Sequence, residues 1–351
     1  MAKVLGAFPI MRCDALAFRP SAQGRRLPDT AADAVRTHRL TRDTRTPDRP
    51  AAPGASPAPT PLAPRIRLPL PAAEHRVTAV AGADGTPLAL HSWRPAEPTE
   101  AAEVTTLLFY VHGIQSHAGW LFETGPELTQ HGTVTYAADR RGSGRSGGMR
   151  GDLPSAGVVL EDYRIALAQA RRDWPGLPVV ALGQSFGGSI LAALVTQGLE
   201  VDRLVYCAPA LGQQRARHGT ERLAELAALT GTEHSAIALA DEDYTDLARY
   251  LEFMANDRLM LRQVTARSRA TMVELERIYL ERRADTAAPV HLVRAEHDPI
   301  IALAESERVL TTLHRKVDVA TFRGRHHYVE FSRARRDYWH WLAATVAGRG
   351  R

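Results

Sequence analysis

The chain has 351 residues, 44% hydrophobic and 24% charged, enough for one large α/β domain or two smaller ones. No run approaches the roughly 18 apolar residues of a membrane span, and Met1–Met11, a short apolar run broken by Pro9, makes a poor signal peptide. The net charge of +5 is lopsided, with 12 Lys+Arg against 5 Asp+Glu in residues 1–71 and 32 against 34 in the rest, so nothing in the body argues for a nucleic-acid partner.

Residues 1–71 are rich in Arg, Ala, Thr and Pro, with nine prolines between Pro47 and Pro71. Such a segment buries too little apolar surface to offset its ordering entropy, and a disordered extension is expected. Its arginines allow a targeting arm, but a dispensable extension is the simpler reading. Arg76–Val80 and Leu88–Trp93 flank Asp84-Gly85 and predict a hairpin. Val104–Val111 is a continuous apolar run, the mark of a central strand, and ends at His112-Gly113. Trp120–Gln130 reads as helix and Thr133–Ala138 as a strand stopping at Asp139. Arg140–Gly148 is a glycine-dense loop, and Val158–Asp173 has helical spacing with Pro175-Gly176 as its stop.

Leu177–Leu182 is a short, β-branched, apolar strand, Ser189–Gly198 a packed helix, and Arg203–Cys207 another strand. From Leu211 to about Ala284, Leu, Ala, Glu and Arg recur at helical spacing with no convincing strand. Strand signals return at Val290–Ala295 and Lys316–Phe322, with helices expected at Ala302–Leu313 and Tyr328–Val346. Alternating strands and helices imply a mostly parallel sheet with helices on both faces. The organisation expected is therefore an extension over 1–71, a core over 72–210 and 286–351, and a helical insertion over 211–285. Cys13 and Cys207, one in the extension and one at a strand end, are not expected to pair.

The candidate chemistry centres on Gly183-Gln184-Ser185-Phe186-Gly187, a G-x-S-x-G run between strand and helix. A serine in such a turn is exposed above the sheet, and flanking glycines leave room for close packing. A serine hydroxyl needs a base, and the base needs an orienting carboxylate. In this fold the acid follows a late strand, which points to Asp298, with Glu296 nearer the strand as the alternative. The base should follow the last strand, where His326 and His327 are adjacent. Oxyanion donors are expected at the amides of Phe186 and of Ile114, which follows His112-Gly113. Ligands of such sheets sit at the carboxyl ends of the strands, so His112, Asp139, Ser185 and Asp298 would share one edge. The glycine loop lacks the Lys-Ser/Thr of a phosphate-binding loop, and its Ser143 and Ser146 lack the strand–turn–helix context of a nucleophile. Trp120 and Phe122 suit an acyl pocket or, more simply, core packing.

Together these motifs give a family resemblance. The chain resembles α/β-hydrolases of the monoacylglycerol lipase and lysophospholipase (serine aminopeptidase-like) type. Their H-G-x-x-x-H is matched by His112–His117, their D-x-R-G-x-G-x-S by Asp139–Ser146, and their G-x-S-x-G-G elbow by Gly183–Gly188. Their glycine three residues before the catalytic histidine matches Gly324, which selects His327 over His326. Asn256-Asp257-Arg258-Leu259 looks like the N-D-P-L turn of their caps, with Arg258 where Pro is usual. The resemblance implies a serine hydrolase of lipid-like esters working through an acyl-enzyme, with residues 211–285 as a cap. Acyl transfer, thioester release or peptidase work on the same fold, or a non-catalytic binding protein, remain as alternatives. The implied chemistry needs no metal or organic cofactor. A cytoplasmic protein is expected, with transient contact at a membrane surface compatible with a lipid substrate.

Overall fold

The computed structural model describes residues 73–96 and 104–348. The extension expected over residues 1–71 lies outside the described residues. In chain order the elements are strands β1 (Ala73–Ala81), β2 (Pro87–Pro95) and β3 (Thr106–Val111), a 3-10 turn (Ala118–Phe122), helix α1 (Thr124–Thr129), β4 (Thr133–Ala138), α2 (Ala156–Asp173), β5 (Val179–Gln184), α3 (Phe186–Thr196) and β6 (Arg203–Cys207). Then come α4 (Gln213–Ala227), β7 (His234–Ala236), α5 (Asp241–Tyr244), α6 (Ala248–Asn256), β8 (Gln263–Thr265) and α7 (Ala266–Glu281). The chain closes with β9 (Val290–Ala295), α8 (Leu303–Leu313), β10 (Asp318–Phe322), a 3-10 turn (Val329–Phe331) and α9 (Arg335–Val346).

Eight strands form one sheet in the order β1-β2-β4-β3-β5-β6-β9-β10. The first hairpin pairs antiparallel and β2 runs antiparallel to β4. All other neighbours are parallel. Successive side chains of a strand point to opposite faces, and β3 shows it. Leu107, Phe109 and Val111 join a core with residues of α2, α3, α7 and α8. Leu108 and Tyr110 join a second core with residues of α1 and α9. Every residue of β3, β4 and β5 is buried, so these strands read as continuous apolar runs. Among the described residues no helix is long and apolar enough to cross a membrane.

Three expectations need adjusting. The insertion contains an antiparallel two-stranded ribbon, β7 with β8, where helix alone was expected. Each strand is three residues long and β7 is fully exposed, so no buried alternation marked it. The helix expected over Trp120–Gln130 is split at Glu123 between the 3-10 turn and α1. The last helix starts at Arg335 rather than Tyr328, because Tyr328 and Ser332 are extended and bound a separate 3-10 turn. Within the insertion, α7 packs against α3 and α4, with Leu275 and Tyr279 in the main core.

Candidate active site

The turn at Ser185 is built by close approach. β5 ends at Gln184 and α3 begins at Phe186, leaving Ser185 alone between them at φ 52° and ψ −120°. Left-handed backbone at a non-glycine residue is costly and persists only where the surroundings dictate it. Here the Ser185 amide donates to the Cys207 carbonyl (2.9 Å), and its own carbonyl accepts from Gly188 (2.8 Å) and Ala210 (2.9 Å). The glycines are required by contact. A Cβ on Gly183 would lie 2.6 Å from the Gly187 carbonyl oxygen, and one on Gly187 would lie 1.9 Å from that of Val111. Phe186 is the first residue of α3, so its amide has no acceptor inside the helix.

Two loops from the same edge bring the acid and the imidazole together. Asp298 follows β9, and its Oδ1 accepts from the amides of Ile300 (2.8 Å) and Ile301 (2.9 Å). Its Oδ2 lies 2.7 Å from Nδ1 of His327, and both side chains are fully buried. Burial alone would raise the Asp298 carboxyl, but the hydrogen bond from His327, with those of the two amides, holds it below the usual range. Glu296 is exposed, and His326 faces a surface pocket lined by Arg323, Arg325 and Arg333. The pairing thus brings together Asp298 and His327 and leaves their two alternatives outside. An Asp298 acceptor at Nδ1 leaves His327 Nε2 as an acceptor, and the Gln184 amide nitrogen lies 3.4 Å from it.

The loops at His112 and Asp139 support this edge. His112 is buried, and its Nε2 accepts from the Arg140 amide (2.9 Å) while Nδ1 lies 2.8 Å from the Gly113 carbonyl. Burial, then the Arg140 charge, push its pKa well below the ordinary value, so it is neutral. Asp139 Oδ1 accepts from Ala118 (2.7 Å), and Oδ2 from Arg145 (2.7 Å) and from His91 Nε2 (3.2 Å). Burial would raise this carboxyl too, but the hydrogen bond from His91 helps hold it far below the usual range. Gly144, at φ 51°, packs so closely on Asp139 that a Cβ would sit 2.2 Å from the carboxyl. Arg141 grips Asp162 of α2 and Asp84 of the hairpin turn, which fixes the glycine loop between them.

The family model described as serine aminopeptidase, S33, matches residues 102–331. The chain belongs to this family. It is a monoacylglycerol lipase-like α/β-hydrolase, of the type that hydrolyses carboxylic esters. The monoacylglycerol lipase of Mycolicibacterium smegmatis is 28% identical over 232 residues, spanning 64% of this chain and 80% of that protein. The human monoglyceride lipase is 33% identical over 108 residues, 31% of this chain and 34% of that protein. Among solved structures, a soluble variant of Saccharomyces cerevisiae monoglyceride lipase superposes with a TM-score of 0.66 at 14% identity, covering 83% of this chain and 100% of that one. A thermostable carboxyl esterase from Bacillus coagulans gives 0.67 at 17% identity, covering 78% and 98%. At these identities the structural matches speak for the α/β-hydrolase fold.

In this hydrolase the insertion is tied to the edge by side-chain contacts between residues far apart in sequence. Asp257, in the turn after α6, accepts through Oδ2 from His117 Nε2 (3.0 Å) and Trp120 Nε1 (2.8 Å), and through Oδ1 from Leu259 (2.9 Å). The second histidine of the H-G-x-x-x-H motif is therefore an anchor for the insertion. Tyr244 of α5 packs edge-to-face on His327, with ring centroids 5.8 Å apart, and donates to Gln115 Oε1 (2.7 Å). The His327 amide donates to the Asp243 carbonyl (2.9 Å), and the Leu261 amide to the Gln115 carbonyl (2.9 Å). Trp120 and Phe122 belong to an aromatic cluster with Tyr244, Tyr250, Phe253, Tyr328 and Phe331, the packing role expected for them. Asp257 was marked only by its likeness to a cap turn, and Gln184 and Tyr244 had no signal of their own because their partner His327 lies far away in sequence.

Proposed function

We propose that this chain is a serine hydrolase of lipid-like carboxylic esters, of monoacylglycerol or lysophospholipid type, acting through an acyl-enzyme. The observation that carries this reading is the left-handed turn at Ser185, which opens a helix on the sheet edge where His327 meets Asp298. Ser185 Oγ attacks the ester carbonyl while His327 Nε2 takes its proton. Asp298 holds the imidazole in the tautomer whose Nε2 accepts. The amides of Phe186 and Ile114 receive the charge of the tetrahedral oxygen. As the intermediate collapses, His327 returns the proton to the departing alcohol and the acyl group stays on Ser185. Water, losing a proton to the same nitrogen, then releases the acid and restores the serine. Residues 211–285 form the cap over this edge, supported by the contacts of Tyr244 and Asp257. The lipid-like substrate class rests on the likeness to the mycobacterial monoacylglycerol lipase.

The test is labelling by a fluorophosphonate, followed by release of glycerol from monoacylglycerols and by a p-nitrophenyl ester series of rising chain length. Wild type is expected to label and to cleave, and Ser185→Ala to lose several orders of magnitude in kcat. His327→Ala should lose labelling and His326→Ala keep it. An aminoacyl p-nitroanilide should stay uncut. Retention of the ester rate by Ser185→Ala would falsify the assignment.

A further inference from the structure

Arg140 occupies the variable position of the D-x-R-G motif. It is only 3% exposed. Among the described residues no carboxylate lies within ion-pair distance of its guanidinium. A buried cation of this kind is expensive and calls for strong hydrogen bonding. The Tyr163 hydroxyl of α2 interacts with the guanidinium, and the carbonyls it donates to all belong to one loop. Nη1 donates to the Gly113 carbonyl (3.1 Å) and Nη2 to that of Ile114 (2.9 Å), with His112's carbonyl 3.5 Å from Nη1. Its Cζ lies 5.2 Å from the centre of the Phe186 ring. Arg140 therefore touches both segments that carry the two oxyanion donors.

The Gly113 oxygen and the Ile114 N–H belong to one planar peptide unit, and the described chain has no cis bonds. In a trans peptide the C=O and N–H point in opposite directions. Whatever grips the oxygen fixes where the N–H aims. The grip is double. His112 Nε2 accepts from the Arg140 amide, so Nδ1 carries the proton and donates to the Gly113 oxygen, beside Arg140 Nη1. Charged donation to the carbonyl also polarises the peptide and makes its N–H a stronger donor.

Resting on the serine-hydrolase reading above, we propose that Arg140 is a positioning residue of the oxyanion hole: clamped with His112 on the Gly113 carbonyl, it aims and polarises the Ile114 N–H. It touches no reacting atom. Its effect falls on the transition state, where the ester oxygen becomes charged.

The test compares Arg140→Met and Arg140→Lys with wild type in kcat, KM and inhibition by a trifluoromethyl ketone, which forms an oxyanion on the serine. The corresponding secondary alcohol, which forms none, is the control, and thermal melting checks folding. Arg140→Met is expected to lower kcat about 10- to 100-fold, short of the loss of a whole oxyanion donor. KM should stay within about threefold, as for an interaction made only in the transition state. The ketone inhibition constant should rise by the factor that kcat/KM falls, and that of the alcohol should not move. Arg140→Lys keeps the charge but cannot span two carbonyls; it should show the same parallel at smaller size, and it carries the test if the Met variant does not fold. Unchanged kcat in the folded variants, or lost kcat with unchanged ketone affinity, overturns the clamp. If Ser185→Ala is inactive while the Arg140 variants behave as wild type, only the clamp falls. If Ser185→Ala keeps its rate, the serine reading falls and the clamp with it.

Discussion

Asp298 has divided work. One oxygen accepts two loop amides, and the other orients His327. Asp298→Asn can keep the first role through its Oδ1 and turn its amide towards Nδ1. That amide donates, so His327 must place its proton on Nε2, where it no longer accepts from Ser185. The expected outcome is a folded protein whose kcat falls about 10⁴-fold, the scale of a wrong-tautomer defect. Turnover of a p-nitrophenyl ester, read beside an unchanged melting temperature, checks it; a loss under tenfold would remove Asp298 from the orienting role. At this scale the sequence is informative where chemistry is local. The G-x-S-x-G run carries its own turn, and Asp298 and His327 each follow a strand whose end could be read. Gln184 and Tyr244 also contact His327, but one stood as a variable position of the elbow motif and the other in the acidic stretch Asp241–Asp246. What distinguishes them is a partner 143 or 83 positions away, which no spacing rule reports.

The element that most constrains the edge is α3, because it lies directly against β3. Gly187 is where the two meet, and an added methyl would also fall 2.8 Å from the His112 carbonyl. Gly187→Ala must therefore push the first turn of α3 off the end of β3. Overpacking of this kind costs about 1–3 kcal/mol or more. It also moves the Phe186 amide relative to Ile114, so ester turnover should fall by far more than stability would explain. Melting curves and kcat on the same preparation check the pair, and a stable variant with wild-type kcat would refute it. The insertion makes the contrasting case. Asp257→Ala leaves His117 and Trp120 without their shared acceptor, and breaking such a buried cluster costs on the order of 3 kcal/mol. For a chain this size that is a fall of roughly 5 °C in melting temperature, measured by calorimetry. Elements buried on both faces were legible because continuous apolar runs leave few choices. The insertion was legible only as helical, since its ribbon is short and exposed. Tyr328–Phe331 extended the apparent helical pattern because those aromatics serve the cluster under the cap rather than a helix face.

Over the whole molecule, buried titratable groups set how stability responds to pH, and they do not all pull one way. Burial lowers His75 and His314 to about 4, and it lowers His112 well below its ordinary value. In the unfolded chain each would protonate near 6.5, so between pH 6.5 and about 4 the unfolded state binds more protons and stability falls as pH falls. Glu330 acts in the opposite sense. Burial beneath α9 raises it to about 7, against the hydroxyls of Tyr110, Tyr328 and Tyr338 that would lower it. An unfolded glutamate ionises near 4.5, so between about 4.5 and 7 the folded state binds more protons. Its contribution is complete below 4.5 and is lost as pH rises towards 7, a span of about 3 kcal/mol at 1.4 per pH unit. Three histidines outweigh one glutamate, so the melting temperature should drop from pH 6.5 to 4.5. Glu330→Gln removes the opposing group and keeps acceptors for the tyrosines, so its drop over the same window should be steeper than that of wild type. Melting temperatures in matched buffers at half-unit intervals decide it, and a shallower drop in the variant would mean that Glu330 is already ionised at neutral pH in the folded protein.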